Sequence, residues 1–356
     1  MASQSQSEFF ELGQQTWADA MTAAGETVDR WYEIAGLTVH LHFAGVALVP
    51  LLTPALAHLE RSPLAAAPDL TVRLWDCSST GVALPTAPCP LEDFTVRGEL
   101  RGFHDGRFYA AYEGLGRSIC LFDAIQKSAV VGVFDGRGIP TFERAAPFRP
   151  LLGWLMRHHN RQLVHAASVG TVDGAVLIVG RGGAGKSNTA VGSLIAGLSY
   201  AGDDFCAVTA DPIPKVHSLY STAKLRPGDW ARLPFAHSNP GDPPTEKRLY
   251  HLLPHFADRI VRDMPIRAVV MPAKGQSGDP TFKPVTPSVP LFEMVSQSMG
   301  LLPNSGGEVL STLSNVVRRV PCFRFELGSR PERIPAAISD LLRTLSPQAA
   351  TLGAAP

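Results

Sequence analysis

The sequence lacks a charge excess of either sign and lacks a cysteine framework. Its 356 residues carry 32 basic and 32 acidic side chains, so the formal net charge is zero. Because nucleic-acid phosphates are bound by a basic excess, we expect no nucleic acid among the partners. The five cysteines are scattered and form no CxxC pair, which argues against both a disulfide framework and a zinc site.

Long apolar runs are also missing. The closest approach to the roughly 20 apolar residues of a membrane span covers residues 43–59, and Pro50 and Pro54 interrupt it. Residues 1–15 contain no Lys or Arg, whereas a secretory signal begins with basic residues. With 45% hydrophobic and only 18% charged residues, the chain has the composition of a folded protein. We therefore expect a reduced, cytoplasmic protein that does not bind a membrane.

The first 145 residues predict an α+β module that is rich in strands. An amphipathic helix ends near Gly25, and residues 37–43 alternate apolar and polar side chains as a half-buried strand does. Residues 46–59 predict a helix despite their prolines. Further strand-like runs, separated by Gly and Asp, complete residues 1–145 as one module.

From residue 146 the pattern changes to alternating strands and helices, which predicts an α/β domain over residues 146–345. Residues 162–168 predict one continuous strand, and residues 212–255 a loop-rich stretch. The Ala-rich residues 346–356 predict a disordered tail.

The strongest chemical signal is a phosphate-binding loop that begins at Gly180 and matches G-x-x-x-x-G-K-[ST] without a mismatch. A predicted strand enters it and a predicted helix leaves it. Glycines let successive backbone N–H groups turn toward an anion, and the helix N-terminus adds its positive end. Lys186 then supplies a charge for the β- and γ-phosphates, and the Ser187 hydroxyl is placed to bind Mg²⁺. The residues predicted to hold the nucleotide are Gly180, Arg181, Gly182, Gly183, Ala184, Gly185, Lys186, Ser187 and Asn188.

Two adjacent carboxylates, Asp203 and Asp204, end the next strand-like unit. We expect them to return to the phosphate end of the sheet, where one can hold the metal and the other can accept a proton from an attacking hydroxyl. His165 lies upstream in a predicted strand. If that strand neighbours the phosphate-loop strand, the imidazole lies beside the γ-phosphate or orients the aspartate.

A second polar pattern, His40 and His42, places two imidazoles on one face of a predicted strand. No carboxylate or cysteine lies close by in sequence. We therefore interpret this pair as a surface face rather than a metal site.

Three stretches together resemble the catalytic core of the HPr kinase/phosphorylase family: Leu163-Val-His-Ala-Ala-Ser-Val-Gly, the phosphate loop, and Gly-Leu-Ser-Tyr-Ala-Gly-Asp203-Asp204. That family's kinase fold is itself related to ATP-dependent phosphoenolpyruvate carboxykinases. The resemblance implies an α/β P-loop kinase core preceded by a separate α+β module.

By this resemblance Asp204 is the catalytic base, His165 and Lys186 are its catalytic partners, and Ser187 is a metal ligand. Asp203 is a further metal candidate. The implied cofactors are ATP and Mg²⁺. The implied partner is a serine-bearing peptide or protein, as in the similar kinases of lasso peptide tails, and family members often form homo-oligomeric rings.

The sequence also departs from the family. Lys224 stands where bifunctional members carry a metal-binding glutamate, with Asp229 as the nearest substitute, and the first 145 residues do not resemble the usual N-terminal domain. The acceptor is therefore expected not to be HPr. Two alternatives stay open: a MgATP-binding scaffold that docks a partner without phosphorylating it, and a kinase of a small molecule such as free serine. ATP hydrolysis driving a conformational cycle is disfavoured because no switch elements are visible.

Overall fold

The computed structural model describes residues 5–90, 93–95, 98–113, 117–226, 247–275, 278–301 and 307–346. The chain is a mixed α/β protein built on two large β-sheets. The first sheet lies in the first 133 residues, and the second is formed by strands between residues 162 and 326.

The first sheet has seven strands in the order β1-β2-β3-β7-β6-β5-β4. β2, β3 and β7 run parallel to one another, and the remaining pairs are antiparallel. A two-residue turn at Ala35 and Gly36, both with positive φ, joins β1 to β2 as a tight hairpin. The strands are β1 (Thr27–Ile34), β2 (Leu37–Ala44), β3 (Leu70–Asp76), β4 (Glu99–His104), β5 (Phe108–Glu113), β6 (Ser118–Asp123) and β7 (Ser128–Val133).

Helix α1 packs across one face of this sheet. It begins with a capping box between Ser5 and Glu8 and ends at Gly25, whose left-handed conformation closes the last turn. Helix α1 spans Gln6–Ala24. The helices that follow it in this half are α2 (Val49–Leu52), α3 (Cys77–Thr80), α4 (Thr141–Ala145) and α5 (Arg149–His158), and 3₁₀ turns lie at Pro54–Leu59 and Gly136–Gly138.

The second sheet has nine strands, seven of them in the order β11-β9-β10-β16-β13-β12-β8, with β18 beside β16 and β17 beside β18. Its strands are β8 (Gln162–Val164), β9 (Ala166–Thr171), β10 (Gly174–Val179), β11 (Ser199–Gly202), β12 (Cys206–Thr209), β13 (Lys215–Ser218), β16 (Asp263–Ala273), β17 (Thr281–Pro284) and β18 (Cys322–Glu326). A small separate hairpin is formed by β14 (Thr222–Leu225) and β15 (Arg248–His251).

Helices cover both faces of the second sheet, so its central strands are apolar throughout, as in β10. One face carries α6 and the closing helix α10, and the other carries α8 and α9. The helices are α6 (Lys186–Ile195), α7 (Leu253–Phe256), α8 (Ser288–Leu301), α9 (Gly307–Arg319) and α10 (Ile334–Leu345), with a 3₁₀ turn at Pro331–Arg333.

The two sheets share one hydrophobic core. Helix α5 lies between them, with Trp154 fully buried, and the same cluster includes Phe122 of the first sheet and Leu163 and Tyr220 of the second half. Polar contacts cross the same boundary, since the His58 ring lies 2.7 Å from the Ser218 hydroxyl. The first sheet is therefore packed directly against the sheet that carries the phosphate loop.

Three local expectations were wrong. Residues 162–168 form two strands with a break at His165, because β8 pairs with β12 whereas β9 pairs with β10 and β11. Residues 46–59 form a short α-helix and a 3₁₀ turn, since the prolines at 50 and 54 interrupt helical hydrogen bonding. The described residues of the stretch 212–255, which are 212–226 and 247–255, include the strands β13, β14 and β15, and the rest of this predicted loop-rich stretch lies outside the described residues.

Within the described ranges, the helices are too short or too polar to cross a membrane. Asp229 and all but the first residue of the predicted tail lie outside the described residues.

Candidate active site

Strand pairing brings the three predicted stretches to one edge of the second sheet. β9 lies between β10 and β11 and runs antiparallel to both. At the start of β9, Ala166 pairs with Val179, the last residue of β10, and Ser168 pairs with Gly202, the last residue of β11. The residue before β9, the loop after β10 and the aspartates after β11 therefore meet.

The loop between β10 and α6 has the backbone that an anion site requires. Gly180, Gly183 and Gly185 all have positive φ, which residues with a side chain rarely adopt. A Cβ on Gly185 would also lie 2.9 Å from the Leu327 side chain, whereas nothing lies within 4 Å of the position of a Cβ on Gly183. The loop is thus closely packed where it joins the helix and open at its outer side.

The Lys186 ammonium is folded back over this loop. Its Nζ donates to the carbonyl oxygens of Gly180, at 2.5 Å, and Arg181, at 3.3 Å. The side chain is buried, and burial lowers its pKa even though Asp203 and Asp204 act in the opposite direction. Buried cations are costly unless anions compensate them, so this position favours a bound phosphate.

Asp203 is a buried carboxylate with an unusual lack of partners. It is 3% exposed, and neither carboxylate oxygen forms a well-aligned hydrogen bond within the described part of the chain, although the Ser187 hydroxyl is close to it. Burial and the neighbouring Asp204 raise the pKa of Asp203 to about 6, although the nearby Ser187 hydroxyl lowers it. A carboxylate beside a hydroxyl, with both oxygens unpaired, is the donor set that Mg²⁺ accepts.

Asp204 has a strained backbone conformation, and its carboxylate is paired with the Lys224 ammonium. Its φ of +65° lies in the left-handed region, which Asp tolerates better than most residues but which still costs free energy. Its Oδ2 lies 2.7 Å from the Lys224 Nζ. Burial alone would raise the pKa of Asp204, but the Lys224 ammonium outweighs it, with help from His165, and lowers the pKa below its usual range. Asp204 is therefore ionised at neutral pH.

His165 lies at the break between β8 and β9, outside the paired residues of both strands. Its Nε2 is 3.8 Å from the Asp204 Oδ1, and the ring stacks on Phe205 with centroids 5.4 Å apart. Burial, reinforced by the Lys186 ammonium, lowers the pKa of His165 to about 4. The imidazole is therefore neutral at pH 7.

The role of Lys224 is testable through the pH dependence of activity. Because Lys224 lowers the pKa of Asp204, we expect Lys224→Met to raise that pKa and to move the acid limb of any Asp204-dependent rate profile to higher pH. The matched control is Lys283→Met, which removes a lysine from an exposed ion pair with Glu326. Rates measured across the acid range would show the displaced limb in the first variant only. An unshifted profile would mean that Lys224 does not set the protonation of the base.

One buried carboxylate at the site was missed from the sequence. Glu293 of α8 is 9% exposed, its Oε2 lies 3.7 Å from the Arg181 Nε, and it acts on Lys186 electrostatically. Glu293 is far from the phosphate loop in sequence, and only the packing of α8 against β10 brings it to the loop, so its proximity could not be predicted from the sequence. A buried acid in an otherwise apolar helix was the available signal.

Asn188 borders a cavity next to the phosphate loop. It is exposed on the first turn of α6 and lines a cavity of about 240 Å³ together with Gly185, Leu327 and Ile334. This cavity adjoins the phosphate loop at Gly185, and its walls include small and apolar residues.

Comparison with known proteins adds little to this geometry. Neither a family model nor a curated protein matches the chain. Among solved structures, the chain is similar to the Hpr(Ser) kinase/phosphatase from Coxiella burnetii, with 13% identity over 51% of this chain and 95% of that chain, at a TM-score of 0.31.

Proposed function

We propose that this protein is an ATP-dependent kinase that transfers the γ-phosphoryl group to a serine-type hydroxyl of a peptide or protein. The observation that carries the proposal is the ionised Asp204 beside the phosphate loop, with His165 next to it. A loop that only held nucleotide would need neither a strained carboxylate nor an imidazole at this edge.

Each residue of the site has a separate role in the phosphoryl transfer. Asp204 accepts the proton of the acceptor hydroxyl, whose oxygen forms a bond to the γ-phosphorus while the bond from that phosphorus to the β,γ-bridging oxygen breaks, leaving ADP. The neutral His165 donates or accepts a hydrogen bond that orients the hydroxyl or Asp204. Lys186 and the loop N–H groups stabilise the charge on the phosphate oxygens.

Asp203 and Ser187 fit a Mg²⁺ ion, because the carboxylate is buried without partners and lies beside the hydroxyl. When bound, Mg²⁺ would neutralise phosphate charge. The walls of the cavity beside Asn188 would hold the nucleoside.

The choice of a peptide or protein acceptor rests on the resemblance of residues 163–208 to HPr kinases and on the first sheet. That sheet packs against the catalytic sheet through α5, so it is in a position to present an acceptor. The departures at Lys224 and in the first 145 residues support an acceptor other than HPr.

A specific observation favours the rival function, a nucleotide-binding scaffold. Lys224 pairs with Asp204 at 2.7 Å, and a base that stays in this ion pair would not take a proton. The two functions agree on nucleotide binding and differ on transfer.

The deciding experiment incubates the full chain with Mg²⁺ and γ-labelled ATP, together with a serine-containing peptide library or free serine. We expect label on peptide serine, and none with Lys186→Met. Label on free serine alone would show that the acceptor is a small molecule rather than a peptide or protein. Nucleotide binding without transfer to any acceptor, cell extract included, would establish the scaffold and refute the kinase.

A further inference from the structure

We propose that Asp29, His40 and His42 form a binding site for a divalent transition metal, Zn²⁺ above all, on the first sheet. The site is separate from the phosphate loop and does not depend on the proposed function. In the sequence this histidine pair indicated only a surface face, because no carboxylate was close by. The pairing of β1 with β2 supplies that carboxylate.

The hairpin sets the geometry of the three side chains. Its two-residue turn at Ala35 and Gly36 fixes the register, so Asp29 lies directly opposite His42. His40 and His42 are two residues apart on β2 and therefore share a face with Asp29.

The ligand atoms converge on one point. The His40 Nε2 and the His42 Nδ1 each lie 2.6 Å from the same oxygen of Asp29, Oδ1. All three atoms lie within 4.8 Å of one another. With a zinc ion about 2.0–2.2 Å from each atom, tetrahedral ligands stand about 3.4 Å apart, so the exposed Asp29 side chain would rotate to move its Oδ1 away from both nitrogens by somewhat less than about 1 Å.

Two tryptophans hold the imidazoles in place. Trp31 stacks on His40 with ring centroids 4.2 Å apart and an interplanar angle of 12°, and Trp17 of α1 meets His42 edge-on at 5.0 Å. Rings fixed in this way lose little conformational freedom when a metal binds. The nearest cation on the paired strand, Arg73, donates to the Ser128 hydroxyl and lies over the Trp17 ring.

The ligand types select the metal. Two imidazole nitrogens and one carboxylate oxygen suit Zn²⁺ and other borderline cations and do not suit Mg²⁺ or Ca²⁺, which take oxygen ligands. Three protein ligands leave a fourth position, and the half-exposed Asp29 puts that position toward solvent. A bound ion would also fasten the edge strand β1 to β2.

The test is Zn²⁺ binding to the untagged full chain by equilibrium dialysis, with Co²⁺ as a spectroscopic probe. We expect one high-affinity ion per chain and the strong visible absorption of tetrahedral Co²⁺. His40→Gln and His42→Asn, which keep an amide near the ligating nitrogen, and Asp29→Asn should each weaken binding at least about tenfold. Circular dichroism verifies folding of each variant.

Two controls separate this site from other metal binding. His255→Gln removes an exposed histidine elsewhere, and Lys186→Met alters the phosphate loop; both should leave Zn²⁺ affinity unchanged. Equal Zn²⁺ affinity in the wild type and the two histidine variants would overturn the proposal. Undiminished affinity in Asp29→Asn would overturn the three-ligand site.

Discussion

Replacing Asp204 by Asn is expected to slow phosphotransfer at least about a hundredfold while ATP affinity changes by no more than a few-fold. Asn tolerates the left-handed backbone at this position, and its amide oxygen can still accept from Lys224. The variant therefore keeps the local structure and loses only the ability to take a proton.

The measurement is single-turnover label transfer combined with equilibrium nucleotide binding. Asp211→Asn serves as the matched control because Asp211 is an exposed aspartate paired with Arg319, away from the phosphate loop. Transfer by Asp204→Asn at the wild-type rate would show that another group acts as the base.

Replacing the adjacent Asp203 by Asn should change nucleotide binding, which Asp204→Asn is expected to leave nearly unchanged. We expect Mg²⁺-dependent nucleotide binding to weaken at least about tenfold, because a buried ligand with two unpaired oxygens is lost. Without Mg²⁺ the variant should be more stable than the wild type at neutral pH, by no more than about 3 kcal/mol.

The sign of the stability change follows from the pKa. Folding raises the pKa of Asp203 to about 6, above its unfolded value, so its favourable contribution to folding is complete below the unfolded pKa and is lost as the pH rises through 6. The gain from Asn should therefore fall to about 0.5 kcal/mol at pH 4, just above the unfolded pKa. Thermal unfolding at pH 7.5 and pH 4, with a Mg²⁺ titration of ATP binding, tests both parts. An unchanged Mg²⁺ titration would exclude Asp203 as a ligand.

The local sequence pattern was sufficient to predict the elements that neighbouring residues define, such as a helix cap or a glycine-rich loop. The α1 helix ends at Gly25 as expected, and the glycine-rich loop joins β10 to α6. These signals are local because capping and positive φ depend on neighbouring residues. The proximity of His165, Lys186 and Asp204 also followed, because antiparallel pairing of short strands returns their ends to one edge.

Long-range pairing was not visible in the sequence. His165 interrupts what reads as one strand, because the two halves of that run find different partners in β12 and β10. Lys224 and Glu293 reach the site from a separate hairpin and from a helix on the far side of the sheet. The carboxylate of Asp29 meets the two histidines only through hairpin register. The contacts of His165, Lys224 and Glu293 depend on tertiary packing, which local periodicity does not encode, whereas the Asp29 contact depends on how β1 pairs with β2 across the turn.

The apolar layer around α5 has a consequence for how this protein can diversify. The cluster around Trp154 contains side chains from both sheets, so exchanging the first sheet for another by recombination near residue 145 would expose that cluster to water.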